Sequence, residues 1–142
     1  FFVAAGCYDP QSLLMILPIG LITVAILHAN NTRDVKTDRL AGLGTITTSV
    51  SLMNAKAIYT FEIFAPYALA LLYVVLLGQP WTLLAVVLTL PLALRNVRTM
   101  IQAEDDLPYR GIQRLDQTTA QLQMGFGLLY ALGFFLGSWL GV

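Results

Sequence analysis

Apolar positions along this chain gather into four long runs, and polar positions gather into two stretches between them. Pro10 to Thr32 carries no formal charge. The pattern predicts a first crossing helix over about Leu13 to Ala29, near the lower limit of ~17–25 residues for a bilayer span. Pro18 falls inside it; in a membrane, neighbouring helices satisfy the backbone group that a proline frees. A second span is predicted over about Ala57 to Leu77, followed by a tight turn at Gly78-Gln79-Pro80. A third runs from Trp81 to about Leu94, contains Pro91, and continues as helix through Arg95 and Arg98 into the polar boundary. The fourth covers about Thr118 to Leu140, with Trp139 placed as an interfacial anchor. No internal repeat or low-complexity tail interrupts this order. The expected fold class is all-α, a helical bundle that is integral to a membrane.

The polar stretches cover Asn30 to about Lys56 and Arg95 to about Gln117. All basic residues lie in them: Arg33, Lys36, Arg39 and Lys56, then Arg95, Arg98, Arg110 and Arg114. Four crossings in this order put both stretches on one side of the membrane. The positive-inside bias predicts that this side is cytoplasmic. Gly125, Gly127, Ala131, Gly133 and Gly137 form a small-residue stripe on the last span, which permits close helix contact inside the bundle.

Composition agrees with the pattern. Charged residues are 11% of the 142 and hydrophobic residues 57%, against about 25% charged in soluble domains. The formal net charge is zero, so no broad field points to nucleic acid as a partner. Cys7 is the single cysteine, which excludes an intrachain disulfide. The sequence begins at Phe1 without an initiator methionine, and Phe1 to Gly6 reads as the tail of a preceding hydrophobic segment. The expectation is that the numbered sequence starts inside a longer protein.

One stretch carries candidate chemistry. Asn30, Asp34 and Asp38 recur every four residues, and on a helix each such step drifts by only ~40°. The three side chains therefore share a face, with one amide oxygen and two carboxylates near the end of the first span. Hard oxygen ligands of this kind suit Mg²⁺, which commonly bridges carboxylates to substrate phosphates. Arg33, Lys36 and Arg39 are interleaved with the acids and suit phosphate oxygens. The combination is what a diphosphate substrate requires. Spacing alone also fits a solvated segment whose opposite charges pair with one another, which contributes little.

Other polar residues have two readings each. Glu62 is a carboxylate inside the second span, which marks a functional site by default. Its shallow depth favours the plainer reading, a place near the interface beside Lys56 or another polar group. His28, two residues before Asn30, suits proton exchange or a satisfied interfacial role. Tyr59, Phe61, Phe64, Tyr67 and Tyr73 suit the wall of an apolar channel, a stack against an aromatic ligand, or plain packing. Arg110 and Arg114, with Asp116, are placed to close over the site or to meet lipid headgroups. The acidic cluster Glu104-Asp105-Asp106 lacks the four-residue spacing.

The string Asn30-Asn31-Thr32-Arg33-Asp34, then Asp38-Arg39 and Ala41-Gly42, resembles the second aspartate-rich motif of the UbiA superfamily of intramembrane prenyltransferases. It is most similar to the menaquinone and vitamin K branch, whose bacterial members are 1,4-dihydroxy-2-naphthoate polyprenyltransferases. The likeness continues weakly through Pro66-Tyr67, Arg95 to Arg98 and the glycine-rich last span. It implies a nine-helix fold of which residues 1–142 are the C-terminal part, with a first aspartate-rich motif lying upstream. It further implies Mg²⁺, a polyprenyl diphosphate, an aromatic acceptor and a bacterial inner or organelle membrane. On that reading Asp34 and Asp38 are catalytic through the metal, and Asn30 binds metal or diphosphate. Arg33, Lys36 and Arg39 bind diphosphate, and His28, Glu62 and Tyr59 are candidates for the acceptor site or channel. The alternative is a non-catalytic transmembrane subunit or scaffold with a protein partner in a membrane complex. Hydroxybenzoate, a chlorophyllide or a haem are other acceptors within the enzyme class.

Overall fold

The computed structural model describes residues 2–7, 9–78, 80–104 and 111–141, and every regular element among them is helical. The order is α1 (Phe2–Ala5), α2 (Pro10–Leu40), α3 (Ile46–Ser49), α4 (Leu52–Leu77), a 3-10 turn at Pro80–Thr82, α5 (Leu83–Ile101) and α6 (Leu115–Leu140). Four of these, α2, α4, α5 and α6, are long and apolar enough to cross a membrane. The chain is an all-α integral membrane protein, as its hydrophobic pattern predicts.

The largest difference from the sequence reading lies in the first polar stretch. It is mostly helix. α2 runs for 31 residues, ~46 Å at 1.5 Å per residue, against a hydrocarbon core of ~30 Å. Its apolar part spans, and its polar C-terminal turns stand beyond the core. The helix ends at a Schellman motif: Gly42 has φ +70°, its N–H donates to the Arg39 carbonyl at 3.2 Å, and the Leu43 N–H donates to the Asp38 carbonyl at 2.9 Å. Only glycine takes that backbone conformation cheaply. The chain then passes through α3, which carries a Thr45/Thr48 capping box. α4 begins at Leu52, earlier than its apolar run suggested, because the Ser51 hydroxyl accepts the Asn54 N–H and caps it.

α2 packs on α4 and α6, and α5 packs on the same two helices, so the four close into a ring. Small residues on α2 and α5 (Ala25, Ala29, Ala85, Ala93) let large ones from α4 and α6 fill the centre. Tyr67, Phe126, Tyr130 and Phe134 follow one another in the core, with ring centroids 4.9–5.6 Å apart. Polar ties cross between helices where water is excluded. The Tyr59 hydroxyl meets Thr119 at 2.6 Å, and that of Tyr67 meets Thr89 at 2.8 Å. In a bilayer such interhelical bonds contribute ~0.6 kcal/mol on average.

Pro18 lacks the N–H that would bond the Leu14 carbonyl four residues back. The Tyr73 hydroxyl of α4 donates to that carbonyl instead. Tyr73→Phe should leave the carbonyl without that donor and destabilise the fold by ~0.6–1.7 kcal/mol, read as a lowered thermal midpoint in detergent. An unchanged midpoint would mean that this bond carries no stability.

Candidate functional site

The face that α2 buries decides what its motif can reach. Ile22, Ala25, Ala29 and Thr32 are buried against the bundle. Asn30, Asp34 and Asp38 lie on the other side of the helix, each half-buried. They prolong a stripe through Ile16, Thr23 and Leu27 that is exposed along the apolar length of the helix. An acidic end therefore continues into an exposed stripe that is apolar at Ile16 and Leu27 and carries the hydrogen bond from Gln123 to Thr23 between them.

Arg33 organises the acidic end. Its Nε and Nη2 each donate to Asp34 at 2.9 Å, a bidentate pairing that favours the ionised carboxylate. Nη2 also donates to the Asn30 side-chain oxygen. Nη1 donates to Asp116, in the first turn of α6, at 2.7 Å. A guanidinium has five N–H donors, so these contacts leave it one. The sequence reading gave Arg33 to diphosphate; the structure turns it toward the ligand-bearing side chains.

Lys36 and Arg39 lie elsewhere. Counted from Asp34 at ~100° per residue, they fall ~140–160° around the helix. Both line a cleft of about 70 Å³ with Thr32, Val35, Thr47, Val50, Leu52 and Ala55. Arg39 donates to the Thr48 carbonyl at 3.4 Å. The structure brings these two cations together, but not with the acidic face. Arg95 and Arg98 are exposed on α5. Arg114 is exposed at the start of α6. Gln79, Asp105, Asp106 and Arg110 lie outside the described residues.

His28 and Glu62 pair with each other. The His28 Nδ1 lies 3.1 Å and 3.3 Å from the two Glu62 oxygens, and both side chains are buried. Of the two neighbours expected for Glu62, Lys56 or another polar group, the structure supplies the second: the partner is His28, while Lys56 Nζ donates to the Ala103 carbonyl just past α5. A small cavity of about 30 Å³ adjoins the pair, walled by Val24, Leu27, Asn31, Ile46 and Thr47. The His28 Nε2 has no hydrogen-bond partner among the described residues. Tyr59 is fully buried, edge-on to His28, with its hydroxyl on Thr119. It is core between α4 and α6 and lines no open wall. Phe61 and Phe64 do face an open apolar groove of about 600 Å³, with Leu17, Leu21 and Leu69.

Among the described residues no three carboxylate, histidine or cysteine side chains converge as a complete metal site. The α2 face nonetheless fits Mg²⁺ by its donor set. Two carboxylates and an amide oxygen are hard ligands, and this ion usually takes only one or two carboxylates alongside phosphates and waters. Of the second polar stretch, which the pattern places near the site, Asp116 is the described residue that reaches it, through Arg33. That pairing has no signal in the sequence, whereas Gly42, just past the last helical residue, marks where α2 stops.

The UbiA prenyltransferase family matches residues 1–115. UbiA prenyltransferase domain-containing protein 1 of Xenopus tropicalis is 34% identical over 138 residues, covering 94% of this chain and 36% of that protein. Its human counterpart is 33% identical over 137 residues, covering 96% of this chain and 38% of that protein. A Drosophila melanogaster homologue is 33% identical over 138 residues, at 93% and 34% coverage. The chain thus spans little more than a third of the length of these relatives. No solved structure matches it. With the match extending over most of its length, the chain belongs to the UbiA prenyltransferase family.

Proposed function

We propose that this chain is the C-terminal part of a prenyltransferase domain and carries the second half of its metal–diphosphate site. The observation that carries this reading is the α2 face itself. Asn30, Asp34 and Asp38 sit at the polar end of an exposed, mainly apolar stripe. A polyprenyl diphosphate has the same two-part character, a charged head on a long hydrocarbon. Membership of the family supports the reaction class.

On this reading Asp34, Asp38 and Asn30 hold Mg²⁺ together with a motif from the rest of the protein. The ion would act as a Lewis acid that stabilises the charge of the departing diphosphate. Arg33 keeps two of these side chains in place and offers its last N–H to a phosphate oxygen. Lys36 and Arg39 supply positive potential that draws the anionic head to this end of the bundle. The isoprenoid follows the α2 stripe through Ile16 and Leu27; the Phe61 and Phe64 groove, beside Leu17 and Leu21, opens ~100–140° around the helix from Asp34 and is a separate surface. The allylic C–O bond breaks with its electron pair on the diphosphate, and a ring carbon of an aromatic acceptor forms the new C–C bond. His28 and Glu62 form a buried pair behind this face, and the cavity of about 30 Å³ beside them has room for a water but not for an aromatic ring. The proposed acceptor is 1,4-dihydroxy-2-naphthoate, with loss of its carboxylate as CO₂ restoring the aromatic ring. The polar ends of the bundle are assigned to the cytoplasmic side by their basic residues.

The full-length protein in membranes, given a polyprenyl diphosphate and Mg²⁺, should prenylate dihydroxynaphthoate in preference to hydroxybenzoate. Product identification by mass spectrometry decides this. Transfer to hydroxybenzoate alone overturns the acceptor, and no transfer to any aromatic overturns the reaction class.

A further inference from the structure

We propose that Asp116 is a positioning residue for the α2 site. It acts through Arg33 to hold the Asn30 and Asp34 side chains in place on the α2 face. The inference rests on the reading of α2 as a metal–diphosphate site.

Asp116 is itself anchored. Its Oδ1 accepts its neighbour's N–H, that of Gln117, at 2.9 Å. It stands in the first turn of α6, where the helix dipole favours a carboxylate. Its Oδ2 takes the Arg33 Nη1 at 2.7 Å. Arg33 in turn holds both Asp34 oxygens and the Asn30 amide oxygen. A continuous line of hydrogen bonds therefore runs from the start of α6 to two of the three α2 ligand candidates. Residues 83 apart in sequence are joined by it.

The bridge has two consequences. Without it, Arg33 and Asp34 are adjacent residues sharing a partly exposed ion pair, and such pairs restrain side chains weakly. With it, the guanidinium is fixed from two helices, and the Asp34 carboxylate is fixed by the guanidinium. The second consequence is charge. Arg33 paired with Asp34 alone is formally neutral, whereas Arg33 between Asp34 and Asp116 keeps one net negative charge. A cation is drawn to the second arrangement more strongly than to the first. Partners that orient first ligands in this way typically contribute 10–100-fold to metal affinity.

The test uses the full-length protein in detergent and reads Mn²⁺ binding by electron paramagnetic resonance, without prenyl substrate. Thermal midpoints are measured alongside. Asp116→Asn and Asp116→Ala should each weaken Mn²⁺ binding by roughly tenfold or more. Polyprenyl diphosphate affinity at saturating metal should change little. The exchange variant Arg33→Asp with Asp116→Arg should bind metal more weakly than wild type but melt above either single variant. Unchanged Mn²⁺ binding in both Asp116 variants, with Asp34→Ala abolishing it, overturns this inference alone. Mn²⁺ binding that Asp34→Ala leaves intact overturns the α2 metal site, and this inference with it. If Arg33→Gln weakens diphosphate binding at saturating metal while leaving the metal titration unchanged, Arg33 is a diphosphate clamp and the positioning role is refuted.

Discussion

Asp34→Ala combined with Asp38→Ala is expected to abolish measurable prenyl transfer by the full-length protein. A metal ion that stabilises a leaving diphosphate contributes several kcal/mol to the transition state, and each 1.36 kcal/mol is tenfold in rate. The loss should therefore be at least about a hundredfold. Folding should survive it, because both side chains lie on the face of α2 turned away from Ile22, Ala25 and Ala29. Asp34 alone should cost more than Asp38 alone: its removal also releases the two Arg33 donors that Asp34 accepts. The check is the initial rate at several Mg²⁺ concentrations, with the thermal midpoint as a control for folding. An activity within a few-fold of wild type would remove these carboxylates from the mechanism.

The largest stability effect is expected at Gly133. A Cβ built there would stand 2.6 Å from the Trp81 carbonyl oxygen and 2.7 Å from the Thr82 nitrogen. Both are backbone atoms of the 3-10 turn that leads into α5, and no side-chain rotation relieves the clash. Overpacking of this kind costs ~1–3 kcal/mol, sometimes more. Gly133→Ala should lower the thermal midpoint clearly. Gly125→Ala should do so much less, since its Cβ would meet the Thr89 methyl at an ordinary 3.6 Å. Equal midpoints for the two variants would mean that α6 and the turn are not in close contact.

Much of this architecture is legible in the residue pattern. Four apolar runs become four long helices, and α5 continues through Arg95 and Arg98 as its pattern indicates. The four-residue spacing of Asn30, Asp34 and Asp38 places them on one face because the motif is helical throughout. Helix ends were less legible. Hydropathy marks where a chain enters lipid, whereas Gly42 and Ser51 mark where hydrogen bonding stops and restarts. Partner choice was least legible. Arg33 could pair with several acids on the same side of the membrane, and only the packing of α6 on α2 selects Asp116. Glu62 finds His28 and not Lys56 for the same reason: the α2–α4 contact decides it, and one sequence does not encode that contact locally. Tyr59 illustrates a further limit. An aromatic residue reads the same whether it lines a channel or fills a core, and here it is fully buried with its hydroxyl bound to Thr119.

The central claim is that the acidic face of α2 binds a diphosphate through a divalent metal. It is tested most directly by equilibrium binding of a non-hydrolysable polyprenyl diphosphate analogue to the full-length protein, with and without Mg²⁺. The account predicts binding that depends on Mg²⁺ in the wild type and is lost in Asp34→Asn combined with Asp38→Asn. Mg²⁺-dependent binding of equal strength in that variant would contradict it.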